Sequence, residues 1–215
     1  DNFGGHFING ISMADSESFW KCKLVSADDE KNVYESSDGY KITAYHIKKG
    51  DVFECYTVFE NNTDSVVTLD MISSFAITDL DFDTLHRATS FWSAEGKMLS
   101  QKLTDLNMER SWSGHGKKIK KFGQVGSMPV RKWFPFVAIE NSEKNEFIGV
   151  QLYIPSSWQI ELFRHKEPLT LLGGLADFDY GHWCKEIKPN ESFTTPKAVV
   201  AVGDSLLKVC DMLVK

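Results

Sequence analysis

The sequence contains no Cys-x-x-Cys pair, no His-x-His pair and no His-Glu-x-x-His signature. Its four cysteines, Cys22, Cys55, Cys184 and Cys210, are widely scattered. That pattern supports neither a metal ribbon nor a dense disulfide scaffold, and the thiols are expected to be free and mostly buried, as in a cytosolic protein. The six histidines, His6, His46, His86, His115, His165 and His182, offer no zinc-ligand spacing. Gly-x-Ser-x-Gly is missing as well. The nearest Ser-Gly contexts, Ser113-Gly114 and Gly126-Ser127, lack the strand-turn-helix setting of a nucleophile elbow, and no Gly-rich loop suits a phosphate. No metal and no cofactor is therefore expected. A basic excess is also absent: 24 Lys and Arg face 30 Asp and Glu, a net charge of −6, which argues against a general nucleic-acid binder. The longest apolar runs, such as Ala198–Val202, fall far short of the roughly 20 residues that span a bilayer. A soluble, cytoplasmic protein with no membrane partner is expected, with secretion left open.

What the chain does have is the composition of a folding domain. Hydrophobic residues make up 42% and charged residues 25% of 215, unlike a disordered segment. Aromatic residues reach 13%, which favours pleated, half-buried surfaces. Runs rich in β-branched and aromatic residues predict strands over Lys41–Lys48, Val52–Glu60, Val66–Ile77, Trp133–Glu140, Phe147–Ile154, Trp158–Arg164 and Phe193–Val202. Turn clusters separate them: Lys49-Gly50-Asp51, Asn61-Asn62-Thr63-Asp64, Asn141-Ser142-Glu143 and Lys188-Pro189-Asn190. Helical periodicity is confined to the last stretch. There Asp204 can cap a short helix with Leu206, Leu207, Cys210, Leu213 and Val214 on one side. That face either docks on the chain's own sheets or is covered by a further domain. With no repeat and no Pro-rich linker, a single domain over 1–215 is expected. Residues 107–130, with five Gly or Pro, read as a long loop.

Three side-chain groups stand out before any resemblance is considered. Lys117, Lys118, Lys120 and Lys121, near Arg131 and Lys132, form a dense positive patch that reads as a solvated loop, although Trp112, Phe122 and Trp133 interleave with it. Asp79, Asp81 and Asp83 alternate and would share one face of a strand. The Gly and bidentate Glu of a calcium loop do not follow them, so an exposed edge is the better reading. Paired carboxylates for glycoside chemistry are not decidable by counting acids, because spacing in sequence does not fix distance in space.

Two stretches carry a resemblance. One is Leu85-His-Arg-Ala-Thr-Ser-Phe-Trp92-Ser-Ala-Glu95. The other is Gly173-Gly-Leu-Ala-Asp177-Phe-Asp-Tyr-Gly181-His182-Trp183, followed by Lys188-Pro-Asn-Glu191-Ser-Phe193-Thr-Thr-Pro196. Between them lie Phe134-Pro135-Phe136-Val137-Ala138-Ile139 and Gly149-Val150-Gln151-Leu152. In this order and spacing, from about Ser73 to Val200, they resemble the N-terminal domain of glycoside hydrolase family 36, the α-galactosidase-like family. Departures exist: Ser90 replaces the family's Gly two positions before Trp92, and Gln124–Trp133 replaces its Arg-Gly and His-rich loop.

The resemblance implies an all-β fold, a large antiparallel β-supersandwich of two sheets packed face to face with a short C-terminal helix. It also implies that 204–215 leads toward a (β/α)8 barrel, the partner that carries the catalytic aspartates on a Lys-Trp-Asp strand end. No Trp-Asp or Arg-Asp occurs in this chain; Lys132-Trp133 runs into Phe134. No catalytic residue is therefore expected here, and the chain alone is expected to be inactive. The implied role is to pack on that barrel, help build a homo-oligomer and shape the rim of an α-galactoside pocket. Trp92 would supply an apolar wall for a galactose ring and Glu95 would orient the loop. His182, Trp183 and Glu191 read as structural. Two rivals remain: a free-standing carbohydrate-binding module stacking sugars on exposed Trp112, Trp133 or Trp158, and a purely structural oligomerisation sandwich.

Overall fold

Period-2 burial governs the long strands, since successive side chains point to opposite faces of a sheet. The computed structural model describes residues 7–8, 11–12, 22–110, 117–165 and 169–214. In chain order, β1 (Phe7–Ile8) and β2 (Ile11–Ser12) precede β3 (Lys23–Ala27), β4 (Lys31–Glu35), β5 (Tyr40–Lys49) and β6 (Val52–Asn61). The β5–β6 hairpin closes at Gly50, whose φ of 62° suits a residue without Cβ. There follow β7 (Val67–Met71), β8 (Ser73–Leu80), β9 (Thr84–Thr89), β10 (Met98–Lys102), β11 (Lys117–Gln124), β12 (Trp133–Asn141), β13 (Glu146–Leu152), β14 (Trp158–His165) and β15 (Leu169–Leu175). The chain continues through α1 (Phe178–Gly181), β16 (Lys185–Ile187), β17 (Ser192–Thr194), β18 (Ala198–Gly203) and α2 (Leu206–Val214).

One broad sheet forms the first layer, in the order β10-β9-β12-β13-β18-β6-β5-β4-β3, with β17 also on β6. The second layer consists of two four-stranded sheets, β11-β14-β15-β8 and β16-β7-β1-β2. The main core lies between the broad sheet and the first of these: Leu85, Val137, Ile139, Val150 and Val200 meet Phe122, Trp158, Ile160, Leu162 and Leu171. A second cluster packs Tyr40, Ile42 and Phe59 against Val67, Leu69 and Ile187 of the other small sheet. The expected all-β sandwich is therefore present, with its second layer divided.

Several local expectations change. Val66–Ile77 is two strands, because β7 and β8 part at Ile72 and enter different sheets. Phe193–Val202 likewise breaks into β17 and β18 around Pro196, which has no N–H to continue a ladder. Residues 107–130 are not one loop. β11 crosses them, paired with β14 from Lys117↔His165 to Gln124↔Trp158. The lysine run therefore lies on a strand, and Lys121 is half-buried rather than solvated. Asp79, Asp81 and Asp83 do not share a strand face: β8 ends at Leu80, Asp79 has a φ of 58°, and the latter two lie in the connection to β9. Cys184 is exposed and Cys22 and Cys210 half-buried, so only Cys55 matches the expected buried thiol; all four are free.

Helix α2 lies on the outer face of the broad sheet, with Val209 and Leu213 packed on Phe147 and Ala201. Gly149 permits the approach, since a Cβ there would meet Leu213 Cδ1 at 3.1 Å and Val209 Cβ at 3.2 Å. The sequence reading misjudged this face. Val209 is buried, whereas Leu207 and Val214 are 80% and 84% exposed. The cap differs too: Ser205 Oγ accepts from Lys208 N–H at 3.4 Å, and Asp204 instead pairs with Lys208 Nζ at 2.9 Å.

Candidate functional site

Trp92 stands on the loop joining β9 to β10, and hydrogen bonds hold that loop from both sides. Within it, Gly96 N–H donates to Thr89 O at 2.8 Å and Ala94 N–H to Phe91 O at 2.8 Å. Thr89 Oγ1 donates to Ala94 O. Across to the segment before β12, Ser90 N–H donates to Lys132 O at 2.9 Å and Ser90 Oγ to Val130 O at 2.6 Å. Ser93 and Gly96 take φ of 64° and 74° to close the turn. On this base Trp92 is 83% exposed and Phe91 61%. Met128 and Val130, on the segment the loop is tied to, are also exposed. A cleft of about 470 Å³ opens between the two segments, lined by Phe91, Ala94, Gln124, Arg131, Lys132 and Trp133.

Beneath the cleft the indole of Trp133 is held edge-on by Phe122, with centroids 6.2 Å apart. The Arg87 guanidinium lies over both rings, 4.4 Å from Trp133 and 4.9 Å from Phe122. Arg87 is only 9% exposed; burial lowers its pKa, its Nη2 donates to Gln101, and its Nε has no hydrogen-bond partner. Two aromatic faces thus stabilise a largely desolvated cation. Trp158 Nε1 donates to Pro129 O at 2.6 Å and so anchors the segment on the cleft's other side.

Trp92 and Glu95 therefore share one braced turn, and both are exposed. Trp92 does not fill the core. Phe91, Arg87 and the Ser90 ties were not singled out in the sequence, although Phe91 and Arg87 sit inside the motif that was. For the sugar-module rival, Trp158 is fully buried and Trp133 half-buried beneath Arg87, so neither is the exposed platform expected; Trp112 lies outside the described residues, as do His6, His115 and Ser113-Gly114. In the second motif, Asp177 caps α1 by accepting from Tyr180 N–H at 2.7 Å, His182 closes that helix at a φ of 54°, and Trp183 packs on Phe193 with centroids 5.6 Å apart. Glu191 Oε2 accepts from Lys188 N–H at 3.1 Å in the turn before β17.

Other polar groups pair among themselves. Ser100 Oγ lies 2.8 Å from His86 Nδ1, and His86 Nε2 lies 2.8 Å from Glu140 Oε2. Ser100 is mid-strand on β10 rather than at a strand-to-helix elbow, so the row is a cross-strand network. Asp177 and Glu161 are both buried around Lys121, which pairs with Asp177 and lies 3.7 Å from Glu161. A lysine bridging two carboxylates is a packing device, not the open pair of a glycosidase. Asp83 accepts from Lys102 Nζ at 2.7 Å and from Ser142, and Asp81 pairs with Lys144 at 3.3 Å. Among the described residues, no group of three or more His, Cys, Asp or Glu is placed to hold a metal ion, and no helix is long and apolar enough to cross a membrane.

The fold thus defines an antiparallel β-sandwich that carries an exposed aromatic loop beside a cleft. It is shared with solved α-galactosidase structures. The GH36 α-galactosidase AgaA from Geobacillus stearothermophilus aligns with a TM-score of 0.65 at 17% identity, over 95% of this chain and 28% of that one. The α-galactosidase from Lactobacillus brevis aligns at 0.63 and 13% identity, over 86% and 24%. The galactosidase domain of the α-galactosidase–sucrose kinase AgaSK aligns at 0.64 and 13%, over 85% and 25%. The chain spans about a quarter of the length of these enzymes. No family model and no curated protein matches it.

Proposed function

We propose that this chain is the non-catalytic sandwich domain of an α-galactosidase-like glycoside hydrolase, and that it shapes the rim of a sugar pocket whose reactive groups lie on a separate (β/α)8 barrel. The observation that carries the reading is coverage: 86% to 95% of the chain aligns with 24% to 28% of an α-galactosidase chain. In this reading Trp92, presented on its braced loop, offers an apolar face to the C–H side of a galactose ring, and Glu95 shares the turn that sets its angle. One of the aligned structures is a complex with stachyose and another with raffinose, which makes α-galactosides the ligands to try. Helix α2, with Leu207 and Val214 bare, leads toward the barrel, and the enzyme assembles as a homo-oligomer.

Two experiments test this. Extending the reading frame beyond Lys215 is expected to yield a barrel-length segment bearing a Lys-Trp-Asp strand end; a stop codon there overturns the proposal. The chain alone, given a chromogenic α-galactoside, is expected to show no turnover. Turnover that disappears when an Asp or Glu is replaced would place the chemistry in the sandwich and refute it.

A further inference from the structure

A second cleft, of about 340 Å³, lies where β8 forms the free edge of its four-stranded sheet over the inner face of the broad sheet. Register fixes its floor. Asn32 pairs with Ala44 and Ala44 with Thr57, while Tyr34 and His46 lie two residues along from Asn32 and Ala44, on the same side. This is the side of Ile42 and Cys55, which belong to the core clusters. Phe53 closes one end, and Ser73–Ile77 of β8 form the wall.

The chemistry of this lining is selective. Among the described residues no Asp, Glu, Lys or Arg lines the cleft, so it offers a ligand no permanently charged partner. It instead interleaves neutral donors and acceptors with flat apolar faces. The Tyr34 hydroxyl, whose pKa burial raises, stands on the same strand face as the Asn32 side chain, two residues away. The imidazole of His46 and the rings of Phe53 and Phe75 complete the set. The volume is near the lower end of small-molecule sites, roughly 300–1,000 Å³, which suits one ring rather than a chain of them.

We propose that this cleft binds a neutral monosaccharide, with the Asn32 amide, the Tyr34 hydroxyl and the His46 imidazole as polar contacts and the phenyl rings as apolar ones. The site is separate from the Trp92 loop. From β9 to β6 is four strand spacings in the broad sheet, roughly 19 Å. It requires no barrel, so it stands or falls apart from the function proposed above.

The test is a titration of the chain with galactose and with glucose, followed through the His46 imidazole resonances, with glycerol as a non-ring control. Saturation is expected at millimolar sugar with either hexose and none with glycerol. Binding should weaken at least tenfold in Ala44→Trp, which fills the cleft, and in Asn32→Ala, which removes a polar contact without bulk. Trp92→Ala should leave it unchanged. Should Ala44→Trp fail to fold, Asn32→Ala decides. The proposal is overturned by absence of saturation at roughly 100 mM, two decades above the affinity expected. It is equally overturned if glycerol responds as the sugars do, if Asn32→Ala binds with unchanged affinity, or if Trp92→Ala abolishes the response.

Discussion

Replacing Lys121 by Met is the sharpest test of how the second layer is held together. Lys121 meets two buried carboxylates, Asp177 through a hydrogen bond and Glu161 at 3.7 Å. Removing one partner of a buried ion pair costs about 3–5 kcal/mol, because the charge left behind is neither solvated nor paired. Asp177 would keep Gln159 Nε2 at 3.1 Å and Tyr180 N–H at 2.7 Å, which points to the lower end, about 3 kcal/mol. For a domain of this size that corresponds to a melting temperature lower by about 6–12 °C. Burial already raises the pKa of Glu161, and Lys121 acts to lower it; without the lysine it rises further. A carboxyl raised in the folded state contributes stability below its unfolded pKa of about 4.3 and loses it as pH rises through the folded value. The deficit of the Met variant should therefore be larger at pH 8 than at pH 5, and Glu161→Gln in the same background should recover part of it at pH 8. Urea unfolding at both pH values measures this. A loss under about 1 kcal/mol, or one equal at the two pH values, would refute the account of Lys121 as the counter-charge.

Trp158→Ala should cost about 3–5 kcal/mol in urea unfolding, since the indole is fully buried between the layers and its Nε1 holds Pro129 O. Trp92→Ala should shift stability by no more than about 0.5 kcal/mol in the same assay, because an exposed side chain has little packing to lose. Burial of Asp83 works against its charged form, but hydrogen bonds from Lys102, Thr84 and Ser142 outweigh it and hold the carboxyl well below the ordinary range. Its contribution is present above the unfolded pKa of about 3.9 and lost as pH falls below that, so acid unfolding should shift to lower pH in the parent than in Asp83→Asn.

Much of the fold was legible in the residues. The runs at Lys41–Lys48, Val52–Glu60 and Trp158–Arg164 became β5, β6 and β14 with ends moved by a residue at most, because β-branched and aromatic alternation between turn residues leaves a chain little else to do. The ordered motifs around Trp92 and Gly173–Trp183 pointed to the sandwich fold that the solved α-galactosidases share. What composition hid was β11: Lys117–Gln124 is too polar to read as a strand, and it is one because β14 offers it a ladder and Phe122 a place in the core. The break at Ile72 was equally invisible, since an apolar run does not say which sheet each half will join.

By itself, the sequence determined that the chain is built of strands, where half of the eighteen described lie, and that zinc-ligand and nucleophile-elbow patterns are missing; these are local properties, read from periodicity and spacing. Only the tertiary structure decided that the second layer is split in two, that Trp92 is bare while Trp158 is enclosed, and that Lys121 bridges Glu161 and Asp177. Each of these depends on contacts between residues far apart in the chain, and such contacts are set by how the sheets stack rather than by any run of neighbouring side chains.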